Sequence, residues 1–174
     1  MLAYNATKKR KDRGTFSEHA LLSEESPFIN KKFSSTSVLN VNRKVTLVPF
    51  TLFNPDEKEN YLSFNIDLES EDEVFSSPVP LIKAACIFAV PGKLHYQLTK
   101  ILSEPTFHHL AEVTINQCPQ SERITSDKAR CFLHFSGNTF FVHLMRDNEL
   151  VFFNVFQFDT PEEFIYYMLN IAGK

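Results

Sequence analysis

The last third of this sequence contains its most regular pattern. Two apolar runs, CFLHFS and TFFVHLMR, flank a Gly-Asn dipeptide at 137–138, which favours a two-residue hairpin turn. A second turn at 147–148 precedes a third run, LVFFNVFQF. Thr160 then provides a helix N-cap, and Glu163 completes a capping box. The pattern predicts a three-stranded antiparallel meander over residues 131–158, followed by a helix.

Side chains alternate between the faces of a strand, so two-residue turns would divide the meander between two faces. One face is wholly apolar and is predicted to be core; it collects Leu133, Phe135, Phe140, Val142, Leu144, Val151, Phe153 and Val155. The other face is aromatic but carries three polar groups. Either a partner or the chain's own helices would cover it. Its residues are the predicted interface: Phe132, His134, Phe141, His143, Phe152, Asn154 and Phe156.

The histidines and cysteines do not predict a metal site or a catalytic group. His134 and His143 would lie diagonally on neighbouring strands, about 7–8 Å apart, with no acidic or cysteine ligand expected nearby. His108 and His109 are adjacent in a predicted strand and therefore point to opposite faces. Cys86 lies in an apolar run, where burial raises the pKa of a thiol and makes it a poor nucleophile.

The middle of the chain alternates strand and helix patterns. SVLNV and KVTLVP are β-branched runs typical of strands, and Asn54 is placed to cap a helix that begins at Pro55. Residues 82–91 form a continuous apolar run, which predicts a strand buried on both faces, followed by an amphipathic helix. TFHHL predicts a short strand, and residues 111–128 predict a helix or an irregular connector. This order indicates an α/β layer architecture.

Composition limits the classes of function. The net charge of −3 argues against a nucleic-acid binder held on by bulk electrostatics. Three cysteines, odd in number and far apart, favour reduced thiols in a cytoplasmic protein. No apolar run approaches the roughly 18 residues that a membrane span requires. Residues 1–37 are polar, with a basic cluster at 8–13, and are predicted to form a mobile head.

Three segments resemble a known family: VTLVPFTLFNPDEKENYL, CIFAVPGKLHYQL and ELVFFNVFQFDTPEEFIYYMLN. The family is the bacterial domain of unknown function 3822, found mostly in Bacteroidetes, and the resemblance covers residues 38–171. It implies an actin-like ATPase fold made of paired ribonuclease H-like halves, with a mixed sheet and flanking helices. Residues 38–128 would form the first half, without a recognised opening hairpin. Residues 129–174 would begin a second, incomplete half.

The resemblance leaves three functions to weigh. An actin-like ATPase would hold phosphates at its opening hairpins, for which only Ser136, Gly137 and Asn138 are candidates. A ribonuclease H-like nuclease needs several carboxylates at strand ends, whereas the predicted strands have acids only at a turn, Asp147 and Glu149. A non-catalytic interaction or assembly module needs only an apolar surface and an open sheet edge. We therefore predict such a module, without a cofactor, that binds a protein or associates with itself through open edges.

Overall fold

The computed structural model describes residues 2–4, 13–15, 34–118, 129–147 and 149–172. Ten strands and four α-helices in these ranges confirm the mixed α/β class. They run in the order β1 (Leu2–Tyr4), β2 (Arg13–Thr15), β3 (Ser37–Asn40), β4 (Val45–Pro49), α1 (Lys58–Ser63), β5 (Glu73–Val79), β6 (Ala84–Val90), α2 (Gly92–Ile101), β7 (Thr106–His109), α3 (Leu110–Asn116), β8 (Arg130–Ser136), β9 (Thr139–Arg146), β10 (Glu149–Gln157) and α4 (Pro161–Ala172). Short 3₁₀ turns span Pro55–Glu57 and Pro80–Ile82.

The beginning of the chain departs from its prediction. Strands β1 and β2 pair antiparallel, with Leu2 opposite Thr15, whereas the sequence predicted a polar head without a hairpin. Two three-residue strands are too short for periodicity to reveal them, and neither has the β-branched composition of a strand. The basic cluster at 8–13 falls mostly outside the described residues, as do residues 119–128 of the predicted connector.

The first core forms around β6, whose seven residues are all buried. Its neighbours pair with it antiparallel in the order β4-β6-β5, and β3 pairs with β7 in parallel. Phe88 of β6 stacks on Phe75, with ring centroids 5.8 Å apart, and Phe75 stacks on Phe107 at 5.0 Å. Helices α2 and α3 contribute Leu98 and Ile115 to the same cluster. The buried strand and the following helix predicted from residues 82–102 are thereby confirmed.

The second core lies between the meander and α4. The strand order β10-β9-β8 is that of the predicted meander. The turn from β8 to β9 requires a residue in the left-handed conformation, and Gly137 provides it with a φ of 59°. Phe140 is completely buried beneath α4, with its ring 5.2 Å from that of Phe164 and 5.3 Å from that of Phe156. Glu163 N–H donates to Thr160 Oγ1 at 3.3 Å, which confirms the predicted N-cap.

A β-bulge at Val151 corrects the predicted faces of β10. Leu150 pairs with Met145, but Phe152, not Val151, pairs with Leu144, so the strand holds one extra residue. Every side chain beyond the bulge therefore lies on the face opposite to the one predicted. One face therefore contains Phe152, Asn154 and Phe156 of β10, together with Leu133, Phe135, Phe140, Val142 and Leu144. The other face contains Phe153 and Val155 of β10, together with Phe132, His134, Phe141 and His143.

The bulge also explains how the two cores meet. Phe152 and Phe156 pack against the second core, beneath α4. Phe153 and Val155 pack against the first core. The meander thus separates two apolar layers and is covered on both faces along β9, where six consecutive residues are buried. The aromatic richness of β10 is what a strand between two cores requires.

Gly92 begins α2 at a point where a side chain does not fit. A Cβ atom added there would lie 1.9 Å from the backbone carbonyl oxygen of Glu71. We expect Gly92→Ala to lower the free energy of unfolding by about 1–3 kcal/mol, because one of the two backbones must move. Urea unfolding measures this. Gly137→Asn is the matched control, since Asn tolerates positive φ and nothing lies within 4 Å of that Cβ position. Equal losses of unfolding free energy in the two variants would contradict a close contact between residue 92 and the Glu71 backbone.

Candidate functional site: an open sheet edge

In the two three-stranded sheets of the described part of the chain, four strands have an edge without a neighbouring strand: β4, β5, β8 and β10. Soluble proteins protect such edges with proline, charge or bulges. Strand β5 contains Pro78, β4 ends at Pro49, and β10 has its bulge at Val151. In β10 the Asn154 side chain also accepts the backbone N–H of Val155 at 2.8 Å.

The edge of β8 has only one of these protections, the charge of Arg130 at its beginning. Its sequence, RCFLHFS, has no proline, lysine or acidic residue, and its pairing with β9 is regular over all seven residues. Toward α4 it presents exposed Cys131, half-buried Leu133 and Phe135, which is 54% exposed. Toward the first core it presents half-buried Phe132 and His134. Apolar side chains on both faces are typical of an interior strand rather than of an edge.

The outer face of α4 continues this apolar surface. Ile165, Tyr166 and Leu169 are exposed by 54%, 64% and 70%, so part of the outer side of the helix is apolar. Helical spacing puts Ile165 and Leu169 beside Met168 and Ala172. We call β8 together with Ile165, Tyr166 and Leu169 the edge surface.

A cavity of about 400 Å³ lies between the beginning of β8 and the end of α4. Its lining includes Cys131, Leu144, Met168 and Ile171, with Arg146 as the charged member. Met168 and Ala172 line it from the helix, and helical spacing places Ile165 and Leu169 beside them, on the β8 side of α4.

The seven predicted interface residues do not share one face. Phe152 and Phe156 pack beneath α4, and Phe141 and His143 are buried toward the first core. Asn154 is exposed and bonds its own strand. Phe132 and His134 lie on the open strand β8. These two are the only predicted members that belong to the edge surface; the role of the set in binding stays a prediction.

A contact between Cys118 and His143 was not predicted from the sequence. Cys118 Sγ lies 3.0 Å from His143 Nε2, and the His143 ring stacks on Phe132 at 4.9 Å and on His134 at 5.4 Å. The two histidines lie diagonally on neighbouring strands, as predicted, but a cysteine lies beside them, which was not predicted. Twenty-five residues separate Cys118 from His143, so no local pattern announces the contact.

The chemistry of this contact is that of a neutral pair. Burial raises the pKa of the Cys118 thiol, although the positive charge of Arg130 opposes the shift. Burial, together with the neighbouring His134, lowers the pKa of His143 to about 4. At neutral pH both the thiol and the imidazole are therefore uncharged. A thiolate nucleophile requires the opposite shifts, so the pair serves packing and hydrogen bonding between α3 and β9.

A second polar cluster surrounds Glu112 of α3, which is 8% exposed. Ser77 Oγ donates to Glu112 Oε2 at 2.5 Å, and His108 Nδ1 lies 3.0 Å from Oε1. The backbone N–H of His109 donates to Oε2 at 3.4 Å. The carboxylate is central here, whereas a hydrolytic triad needs the imidazole between the acid and the hydroxyl. Glu112 therefore attaches α3 to β5 and β7 and does not activate Ser77.

Removal of the Glu112 carboxylate is expected to lower the free energy of unfolding by about 2–4 kcal/mol, because it leaves two partly buried donors without an acceptor. Glu112→Ala tests this by urea unfolding. Glu112→Gln keeps one acceptor oxygen and should cost less. Glu73→Ala, an exposed acid on β5, is the control and should change stability by less than about 0.5 kcal/mol. A Glu112→Ala variant as stable as the control would contradict this account.

The comparisons with known proteins agree with this architecture. A family model described as a protein of unknown function (DUF3822) matches residues 2–174. The chain belongs to this family. A search of curated proteins finds no match. Among solved structures, the DUF3822 chain is similar to a Bacteroides thetaiotaomicron protein with an actin-like ATPase fold and unknown function. The TM-score is 0.83 at 16% identity, over 97% of this chain and 69% of that chain.

This likeness confirms the fold that the resemblance implied: the DUF3822 chain has an actin-like ATPase fold. It shows the fold alone, because one fold carries many functions. Over the described ranges, no helix is long and apolar enough to span a membrane. Within the same ranges, no three His, Cys, Asp or Glu side chains group closely enough to hold a metal ion.

The predicted phosphate-binding candidates form the turn between β8 and β9. Ser136 and Gly137 are exposed, and Gly137 takes positive φ. The Asn138 side chain donates to Asp159 Oδ1 at 3.2 Å, and its carbonyl accepts the N–H of Phe158 at 2.9 Å. Asn138 therefore connects the turn to the beginning of α4 in the DUF3822 chain. Nucleotide binding at these three residues stays a prediction.

Proposed function

We propose that this DUF3822 protein is a non-catalytic interaction or assembly module, and that it binds protein through the edge surface. The observation that supports this most directly is the composition of β8. An edge strand with no proline, no bulge and apolar side chains on both faces has the composition of a strand that is paired on both sides. The exposed side chains Ile165, Tyr166 and Leu169 extend the apolar area beyond the strand.

The same proposal includes the organisation and the location of the chain. We infer that β3 to α3 belong to a first half of ribonuclease H-like type, and that β8 to α4 open a second one. We also infer a cytoplasmic location, supported by the free thiols of Cys86, Cys118 and Cys131.

Site-specific photo-crosslinking in the cells that make the protein tests the proposed surface. A benzophenone amino acid at Phe135, on the open edge, should give a discrete cross-linked adduct. The matched control is the same amino acid at Phe64, which is 85% exposed at the end of α1 and outside the edge surface. The absence of an adduct at 135, or the same adducts at both positions, would overturn the proposal.

Calorimetry with magnesium and ATP tests the competing ATPase hypothesis. We expect no heat of binding, because the described turn offers one glycine and an amide that is already bonded to Asp159. Micromolar binding that Gly137→Val abolishes would replace the interaction module with a nucleotide-binding function. Asn138→Ala in the same assay removes the bond to Asp159, and so shows whether a loss of binding reflects a lost nucleotide contact or a weakened turn.

A further inference from the structure

We propose that the cleft between β4 and β10 binds a small organic carboxylate, at a site separate from the edge surface. The cleft has a volume of about 590 Å³, which is within the range of small-molecule sites. One wall consists of the beginning of β4 and the chain after α1, and the other consists of β10 and one residue of α4. The polar members of the lining are Arg43, Thr46 and Asn65 on the first wall and Asn154, Gln157 and Tyr167 on the second.

The two amide side chains of β10 offer hydrogen-bond donors to a ligand. Asn154 Oδ1 accepts the backbone N–H of Val155 at 2.8 Å, and Gln157 Oε1 accepts Arg43 Nη1 at 2.9 Å. Because both partners are donors, the atom that each contacts must be the amide oxygen and not the nitrogen. The NH₂ group of each amide has no partner among the described residues. Both amides are therefore free to donate and not to accept.

Arg43 provides the charge of the cleft. It is the only charged residue in the described lining, and no carboxylate within the described ranges pairs with it. The neighbouring Lys44 is already paired, since its Nζ lies 2.6 Å from Asp72 Oδ2 and 3.3 Å from Glu69 Oε1. A guanidinium has five N–H donors, and the bond to Gln157 orients the group while using only one of them. A donor-rich wall with one positive charge and no acid favours an anionic acceptor.

A carboxylate matches this wall better than a phosphate does. A phosphate ester carries about 1.5–2 negative charges at neutral pH, and proteins usually bind it with glycine-rich loops or helix N-termini. The described lining contains no glycine, and Arg43 balances a single negative charge. A carboxylate has one charge and accepts two parallel bonds from a guanidinium. Ile66 and Phe153, both half-buried, also line the cleft, so the ligand would have an apolar body.

The backbone of the cleft favours a small ligand over an added peptide strand. The N–H of Val45 donates to the carbonyl of Arg43 at 2.9 Å, and that of Val155 donates to Asn154. A peptide strand pairs with free N–H and C=O groups along an edge, and these two donors are already used. A small ligand requires only the side chains.

An NMR titration of the isotope-labelled chain with phenylacetate tests the site, because side-chain NH₂ groups give their own signals. The signals of Asn154 and Gln157 should shift, with a dissociation constant of about 1 mM for so small a ligand. Phenylacetamide has the same shape without the charge and should bind about tenfold more weakly. No shift at these two residues, or equal affinity for phenylacetamide, would overturn the proposal. Tighter binding of phenyl phosphate than of phenylacetate would overturn the choice of a carboxylate.

Three variants then separate the cleft from the overall charge of the chain. Asn154→Asp keeps an oxygen for the Val155 N–H but replaces the free donor with a negatively charged acceptor, and Arg43→Gln removes the cation. Each should raise the dissociation constant of phenylacetate about tenfold or more. Lys93→Gln on α2 is the matched control, since it changes the net charge equally outside the cleft lining. All three positions are exposed, so the fold should be retained. Equal weakening by Lys93→Gln would contradict a site in the cleft.

Discussion

Lowering the pH from 6.5 to 4 is expected to reduce the free energy of unfolding by about 3 kcal/mol for each of two buried histidines. His109 and His143 are both 0% exposed, and burial is the largest cause that lowers the pKa of each to about 4. In the unfolded chain a histidine has a pKa near 6.5. Between these values the unfolded state binds more protons, so acid favours unfolding. The full stability is present above pH 6.5.

The hydrogen bonds of His109 explain why its ring is held neutral. Its Nδ1 accepts the N–H of Ala111 at 3.1 Å, so the ring proton is on Nε2, which donates to the carbonyl of Asn42 at 3.1 Å. The ring thereby caps α3 and connects it to the loop after β3. Protonation would place a second proton on Nδ1, directly against the Ala111 N–H. The negative charge of Glu112 favours the proton but does not overcome burial.

His143 meets a similar conflict on the face of the meander toward the first core. Its Nε2 lies 3.0 Å from Cys118 Sγ, and its Nδ1 is buried without a hydrogen-bond partner among the described residues. A second proton on the ring would therefore place a positive charge where one ring nitrogen has no acceptor. The stacked ring of His134 also disfavours a positive charge at His143. Acid thus weakens both polar contacts that α3 makes at its ends, one at His109 and one at Cys118.

Urea unfolding at pH 7 and at pH 5 measures this effect. The fall in the free energy of unfolding should be clear within that interval, because it lies inside the window from 6.5 to 4. His143→Phe keeps the stacking on Phe132 and removes one titrating group, so its stability should depend on pH about half as strongly. The same pH dependence in the variant and the natural chain would exclude His143 as a contributor. A flat profile in the natural chain would contradict the account for both histidines.

Local chemistry made a large part of this fold predictable. Asn54 accepts the N–H of Asp56 at 3.2 Å, as a cap predicted from its position before a proline should. Thr160 caps α4, and Gly137 provides the positive φ of the first hairpin. Each of these depends on a residue and its immediate neighbours. The fully buried strand β6 was equally predictable, since a short continuous apolar run can adopt few other structures.

The candidate site was predictable only in part, because its details depend on contacts that are distant in sequence. The largely apolar composition of β8 could be identified directly. The contact of Cys118 with His143 and the network around Glu112 join residues that are 25 and 35 positions apart. The bulge at Val151 was missed for another reason. Alternation assumes one residue per pair, and a single extra residue leaves the composition of the strand unchanged.

Two single-residue deletions in β10 should therefore have very different results. Deletion of Val151 removes the bulge residue, which is 44% exposed, and preserves every pair from Phe152 to Gln157. It should leave a folded protein of modestly altered stability. Deletion of Asn154, also exposed, forces part of the strand to reverse its faces, so that residues such as Phe156 and Val155 exchange cores.

Asn154 deletion is expected to abolish cooperative unfolding. Each large apolar side chain that leaves its core costs about 1.5–3 kcal/mol, and displacing several exceeds the 5–15 kcal/mol by which a typical domain is stable. Circular dichroism during thermal and urea unfolding distinguishes the two variants. If β10 alternated regularly without a bulge, both deletions would reverse the faces and both would be equally destructive. Equal losses would therefore contradict the bulge, whereas a folded Val151 deletion beside an unfolded Asn154 deletion requires it.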